Sequence, residues 1–64
     1  MQFNFSLVGA NHPILVELEV REMKELAERM GRCRFLSGDL VSEGGELIRV
    51  LIPVSRIQFI AEAA

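Results

Sequence analysis

The sequence predicts a small α+β domain: one curved, mainly antiparallel sheet of four to five strands that carries a single helix, in the order β-β-α-β-β-β. Three observations predict this fold. Apolar and polar side chains alternate with a period of two in several short segments, which is typical of strands. One central segment has the helical period instead. Glycine and proline clusters separate these segments, as turns between strands require.

The first strand is predicted over "QFNFSLV", residues 2–8, where apolar side chains occupy every second position from Phe3 onward. The following "GANHP" combines residues that favour turns. Residues 14–20 are open to two interpretations. Three of their four apolar alternating positions are β-branched, which favours a strand. The alternative is one longer helix that begins at Pro13, with residues 14–20 as its first turns.

The segment "REMKELAERMG" is helical in either interpretation. Met23, Leu26, Ala27 and Met30 are spaced i, i+3, i+4 and i+7, so they share one face of a helix. Gly31 follows directly, where a left-handed C-cap is common. No Ser, Thr, Asp or Asn precedes the helix as a cap, so the pattern does not fix its first turn.

Extended structure is predicted again over "RCRFLSGDLV", with a bulge at Gly38 where the inward face changes. "SEGGE" predicts a hairpin turn, and a strand follows it over residues 47–52. This strand is apolar on both faces, so it either lies centrally or turns one face to a partner. Pro53 ends its regular pairing, and "PVSR" predicts a corner before a last strand in "IQFIAEA".

The ending "LIPVSRIQFIAEA" resembles the strand, proline corner and closing strand of small Sm-like and SH3-like barrels. The resemblance covers about a fifth of the chain and includes no specific motif. The helix of this chain follows two strands, whereas Sm-like chains place it at the N-terminus. No residue role is therefore transferred. The resemblance implies a barrel-like sheet and raises the question of nucleic-acid binding.

Chain length gives the strongest bound on function. The 64 residues form one domain, spanning 1–64, and a domain of this size buries only about 60% of its unfolded surface. Half of the residues are apolar, and Cys33 is the only cysteine, so no intrachain disulfide can form. We therefore expect reinforcement by a second subunit, either a copy of the chain in a homo-oligomer (dimer or higher) or another protein.

The interface of such an oligomer is predicted on the strand that is apolar on both faces. Burying part of this surplus against a second chain would remove it from water. The predicted interface residues are Leu47, Ile48, Val50, Leu51 and Ile52. The first functional hypothesis is accordingly a non-enzymatic, homo-oligomeric interaction module.

A nucleic-acid-binding regulator with a weak basic patch is the second hypothesis. Arg29, Arg32 and Arg34 cluster around the predicted helix end, and Arg56 is a candidate contact from across the sheet. Cations at a helix C-terminus also complement its dipole, which explains three of these arginines without a ligand. The net charge of −2 argues against a general nucleic-acid binder. Nucleic acid is the less favoured partner.

No constellation of catalytic residues stands out, so the sequence does not predict an enzyme. Cys33 alternates with Phe35, which is typical of a buried strand cysteine, and His12 precedes Pro13 in a predicted solvated turn. One cysteine and one histidine are too few for a structural zinc site, and no cofactor is expected. The apolar runs are too short for a transmembrane helix. The start lacks signal-peptide features, and a lone cysteine suits the cytoplasm.

Overall fold

The computed structural model describes residues 1–63 and confirms the predicted α+β fold and its element order. Five antiparallel strands form one sheet in the order β4-β3-β2-β1-β5. A 3₁₀ turn, Val54–Arg56, links the last two strands. The elements are β1 (Gln2–Leu7), β2 (Ile14–Glu17), α1 (Met23–Met30), β3 (Phe35–Val41), β4 (Leu47–Pro53) and β5 (Ile57–Glu62).

The interpretation of residues 14–20 as a strand is confirmed, although β2 already ends at Glu17. Leu18 and Val20 lie beyond the strand and are still buried. They continue the alternation because both side chains reach the core between the sheet and α1. The alternation over residues 14–20 therefore predicts burial correctly along the whole segment, although the hydrogen-bonded strand β2 is shorter.

Two glycine assignments made from local pattern are wrong. Gly31 has φ −72°, in the right-handed region, so α1 does not end in a left-handed cap. Gly38 lies inside an unbroken register that runs from Phe35 opposite Pro53 to Val41 opposite Leu47, so no bulge is present there. A Cβ on Gly38 would lie 2.6 Å from Leu18 Cδ2, and glycine is needed because that side chain packs directly onto the backbone.

The sheet must be strongly curved. In a flat sheet, strands at the two edges of a five-strand order would lie about 19 Å apart, but β4 and β5 are joined by only the three residues Val54–Arg56, which can span at most about 14 Å. The turn is held from both sides: the Val54 N–H donates to the Arg34 carbonyl at 2.8 Å, and the Val8 N–H donates to the Arg56 carbonyl at 2.8 Å.

The core lies on the concave face of this sheet, under α1. Phe3 and Phe5 of β1 are completely buried, and their rings meet edge to face with centroids 6.5 Å apart. Leu26 is the buried residue of α1, and Met23 and Met30 pack around it. The buried apolar set is Phe3, Phe5, Val16, Leu18, Val20, Leu26, Leu36 and Ile52. β1 and the segment from β2 to Val20 supply five of these eight residues, whereas β4 supplies only Ile52.

Candidate interaction surface on strand β4

Strand β4 lies at one edge of the sheet and pairs only with β3. The two strands form a hairpin whose turn spans residues 42–46. Gly45 has φ +83°, a conformation that side-chain-bearing residues rarely adopt, which explains the glycine there. The turn is closed by the Ser42 N–H, which donates to the Glu46 carbonyl at 2.9 Å. The hairpin predicted from "SEGGE" is therefore present, and the seven-residue strand β4 begins directly after its turn.

The two faces of β4 differ in how far they are covered. Leu47 and Leu51 lie on the outer face, away from the core, and are 60% and 68% exposed. Ile48 lies on the inner face, opposite Leu40 of β3, and is 49% exposed. Three large apolar side chains this exposed on one short strand indicate an interaction site, since single scattered ones are normal on a protein surface.

The remaining two residues of the predicted interface belong to the subunit itself. Ile52 is only 3% exposed and is part of the core, while Val50 is half-buried and packs against it. Ile52 lies closest to the 3₁₀ turn, where the curved sheet brings neighbouring strands together. The exposed apolar surface of β4 therefore has two parts: Leu47 and Leu51 flank Arg49 on the outer face, and Ile48 lies on the inner face beside the half-buried Val50.

The backbone of β4 carries unpaired hydrogen-bonding groups on its outer edge. In an antiparallel ladder, successive residues alternate between facing the neighbour and facing away. The Val54 N–H bonds to the Arg34 carbonyl at 2.8 Å. By alternation Ile48, Val50 and Ile52 also face β3. The N–H groups of Leu47, Arg49 and Leu51 point away from the sheet, and no strand of residues 1–63 pairs with that edge.

The one charged side chain of β4 is compensated within the subunit. Arg49 Nε lies 3.5 Å from Asp39 Oδ1 on the neighbouring strand, and Arg49 Nη1 donates to Ser37 Oγ at 3.3 Å. Asp39 and Arg49 are directly opposite each other in the β3–β4 register. The outer face of the hairpin is thus apolar at both ends and carries a neutral ion pair in the middle.

An open apolar groove adjoins the far end of β4. It has a volume of about 500 Å³ and lies where the start of β3 meets the 3₁₀ turn. Its lining residues are Cys33, Arg34, Phe35, Pro53, Val54 and Ser55. Phe35 lies opposite Pro53 on the outer face and is exposed, so this groove continues the apolar surface beyond Leu51. The prediction that Cys33 is a buried strand cysteine is wrong, because Cys33 precedes β3 and is exposed.

A second cavity, of about 330 Å³, is charged. Glu17, Glu19, Arg29, Asp39 and Arg49 contribute to its lining. These charges have local partners: Arg29 Nη2 donates to the Glu19 carbonyl at 3.1 Å, and Asp39 pairs with Arg49. No cluster of three metal-ligating side chains occurs within residues 1–63. The arrangement is that of a solvated ion-pair network.

The Met1 amino group completes this network. It donates to Glu17 Oε2 at 2.5 Å and to the Leu18 carbonyl at 2.9 Å. The hydrogen bond from the amino group is the main reason that the pKa of Glu17 is lowered below its usual value. The ion pair fastens Met1, directly before β1, to the end of β2.

The arginines proposed to contact nucleic acid fall into two groups. Arg29 is engaged, since it donates to the Glu19 carbonyl and lies 3.7 Å from Glu25 one helical turn earlier. Arg32, Arg34 and Arg56 are exposed. His12 lies in an exposed bend, as the sequence predicts. Nothing in the geometry tests nucleic-acid binding, which stays a prediction.

Comparisons with known proteins give no family or relative: no family model, curated protein or solved structure matches this chain. None of the helices within residues 1–63 has the length and apolar character needed to cross a bilayer.

Proposed function

We propose that this chain is a non-enzymatic, homo-oligomeric interaction module whose copies associate through the edge of β4. One observation carries the proposal: Leu47, Ile48 and Leu51 are exposed on a strand whose outer edge has no partner. Exposed apolar side chains and unpaired backbone groups occur there together. A second β strand satisfies both at once, because it pairs with the backbone and covers the side chains.

A copy of the same chain is the partner that the surface fits best. The patch is apolar and its only charge, Arg49, is already paired with Asp39, so it has no net charge that a charged partner would complement. Small domains with a limited core commonly gain stability by oligomerisation. The exposed thiol of Cys33 fits a reducing compartment, and we place the module in the cytoplasm.

Matched charge substitutions test the proposal. Leu51 and Phe59 are both exposed on outer strand positions, at 68% and 61%, but Phe59 belongs to β5 at the opposite edge. We expect Leu51→Arg to raise the dissociation constant of the oligomer about tenfold, since it removes an apolar side chain from the interface and adds a second cation beside Arg49 in each copy. Phe59→Arg should leave association unchanged. Sedimentation velocity over a micromolar concentration series measures both.

Circular dichroism accompanies each variant to confirm that the subunit remains folded. Both side chains are exposed in the subunit, so both variants should keep the wild-type spectrum. If Leu51→Arg and Phe59→Arg weaken association equally, or neither has an effect, β4 is not the interface and the proposal fails.

A further inference from the structure

The pattern of free groups on β4 restricts how a second strand can be added. The N–H groups of Leu47, Arg49 and Leu51 point outward, whereas Val50 directs its own N–H and carbonyl toward β3. An added strand must therefore form its hydrogen-bonded pairs at positions 47, 49 and 51. When the partner is an identical strand, a two-fold axis perpendicular to the sheet gives antiparallel pairing and keeps inner faces on the same side.

We infer that the β4 strands of two copies pair antiparallel about a two-fold axis beside Val50, so that both sheets merge into one continuous sheet. The inference rests on the proposed association through β4 and specifies its register. Val50 then lies opposite the partner's Val50 in a non-hydrogen-bonded pair. The result is a closed dimer, because each copy has a single β4 edge and the pairing uses it completely.

In this register every outward N–H group of β4 has an acceptor. The Arg49 N–H donates to the carbonyl of the partner's Leu51, and the Leu51 N–H donates to the carbonyl of the partner's Arg49. The Leu47 N–H donates to the carbonyl of the partner's Pro53. Proline has no N–H to donate, and at this end position the pairing needs only its carbonyl.

The neighbouring registers are less favourable for separate reasons. Centring the pair on Arg49 sets two guanidinium groups directly opposite each other, and like charges in that position are destabilising. Centring it on Leu51 moves the Leu47 N–H opposite position 55, which lies in the 3₁₀ turn beyond the end of β4. That N–H then loses its acceptor. The register about Val50 avoids both problems.

The same register covers the exposed apolar side chains. Leu47 comes to lie beside the partner's Pro53, which is itself paired with the exposed Phe35 on the outer face. On the inner face, Ile48 meets the partner's Ile52 at the border of its core. Arg49 lies beside the partner's Leu51 and keeps its own ion pair with Asp39.

Strand β5, the other edge of the sheet, is a poorer partner for β4. Its ladder with β1 is interrupted by a register shift between Ser6 and Leu7, and bulges of this kind protect edges from pairing. It also includes Glu62 and Gln58, which are exposed at its edge. Pairing of β4 with β5 would be head-to-tail, so it would generate rings or open chains instead of a closed dimer.

Disulfide mapping distinguishes these arrangements. In a Cys33→Ser background, which removes the exposed native thiol, Val50→Cys places two cysteines across the two-fold axis. Their Cα atoms should lie about 4.5 Å apart, within the range that a disulfide spans. The matched control is Leu51→Cys, which leaves Arg49 in place and whose two copies would lie about 8–9 Å apart, too far for a bond. Non-reducing electrophoresis after mild oxidation should show linked dimers for Val50→Cys and none for Leu51→Cys.

Sedimentation of the unmodified chain in the same buffer distinguishes a failure of the proposed association from a failure of the proposed register. A monomer at all concentrations overturns the proposed function itself. A dimer in which the folded Val50→Cys variant does not cross-link overturns the register alone. Assemblies larger than a dimer without a Val50→Cys link indicate head-to-tail pairing and overturn the two-fold arrangement.

Val50 is half-buried, so the Val50→Cys variant can fail to fold. A second pair of variants tests the register in that case. Arg49→Cys and Leu51→Cys alter exposed positions, and the register places residue 49 of one copy opposite residue 51 of the other. Mixed in the Cys33→Ser background, these two chains should link to each other much more than either links to itself. Equal amounts of mixed and self-linked products contradict the register.

Discussion

Strand β4 contains more large apolar side chains than strand β1, yet β1 is the better buried of the two. β1 lies between β2 and β5, and its Phe3 and Phe5 are completely buried. β4 has one neighbour, and its Leu47 and Leu51 are mostly exposed. Burial in this domain therefore follows the position of a strand in the sheet more than the apolarity of its residues. Leu47, Ile48 and Leu51 of β4 stay exposed in a single subunit, which is why we assign them to association.

The largest expected effect comes from removing a buried aromatic ring from the central strand β1. Phe5→Ala deletes a fully buried side chain, so it should lower the free energy of unfolding by about 3–5 kcal/mol. That is comparable to the whole stability of a small domain, roughly 5 kcal/mol. Urea denaturation followed by circular dichroism should show a largely unfolded chain at 25 °C.

Phe59→Ala is the matched control, because the same ring is removed from a side chain that is 61% exposed on β5. Its effect should stay within about 0.5 kcal/mol. Similar losses for the two variants would mean that strand position does not decide burial, and the comparison between central and edge strands would be wrong.

An intermediate effect is expected at the contact between β3 and the residues after β2. Gly38→Ala would place a Cβ 2.6 Å from Leu18 Cδ2 and 2.9 Å from Val16 Cγ1, both in the core. Overpacking of this kind should cost about 1–3 kcal/mol in the free energy of unfolding. Thermal denaturation at fixed protein concentration measures the loss.

Gly44→Ala provides the comparison from the hairpin turn. Its Cβ would meet nothing nearer than Ser42 Oγ at 4.0 Å, and Gly44 does not have a positive φ. We expect a change within about 0.5 kcal/mol. If Gly38→Ala is equally harmless, then Leu18 does not pack on the β3 backbone as the structure shows.

The smallest expected effect is the pH dependence at Glu17. Its pKa is lowered in the folded state, mainly by the hydrogen bond from the Met1 amino group. The ion pair therefore adds stability above the pKa of an unfolded glutamate, and this stability is lost as the pH falls through the lower folded-state pKa. Water screens the pair, which is about one-third exposed, so the contribution should stay within about 0.2–1 kcal/mol.

Melting temperatures at pH 7 and pH 3 check this expectation. Glu17→Gln should lower the melting temperature at pH 7 and have a smaller effect at pH 3, because the wild-type carboxylate loses its charge, and with it the ion pair, as the pH falls through its lowered pKa. Glu43→Gln, on the exposed hairpin turn, should change neither value. A Glu17→Gln variant that is equally destabilised at both pH values would show that the ion pair is not responsible.

The sequence predicted the element order because each element follows from a local period. The alternation from Phe3 and the helical spacing from Met23 to Met30 are confirmed by β1 and α1. The role of a residue could not be predicted in this way where it depends on contacts with residues distant in the sequence. Gly38 could not be understood without Leu18, which approaches it from another element.

The local sequence pattern also could not predict which residues of β4 are exposed. Both faces of β4 are apolar, so the sequence does not distinguish the exposed Leu51 from the buried Ile52. That difference arises from the strand order, which places β4 at an edge, and from the curvature set by the short link to β5. The prediction that Cys33 is buried in a strand is wrong for a related reason: the alternation that includes Cys33 and Phe35 starts two residues before β3 does.

The central claim is that β4 is exposed in the subunit because it associates with a second copy. Sedimentation equilibrium of the unmodified chain, from about one to a few hundred micromolar, tests this claim most directly, because association by mass action depends on concentration. The account predicts a reversible monomer–dimer equilibrium, with the mass rising to twice that of the chain. A constant monomer mass over the whole range, with the circular dichroism of a folded domain, would contradict it.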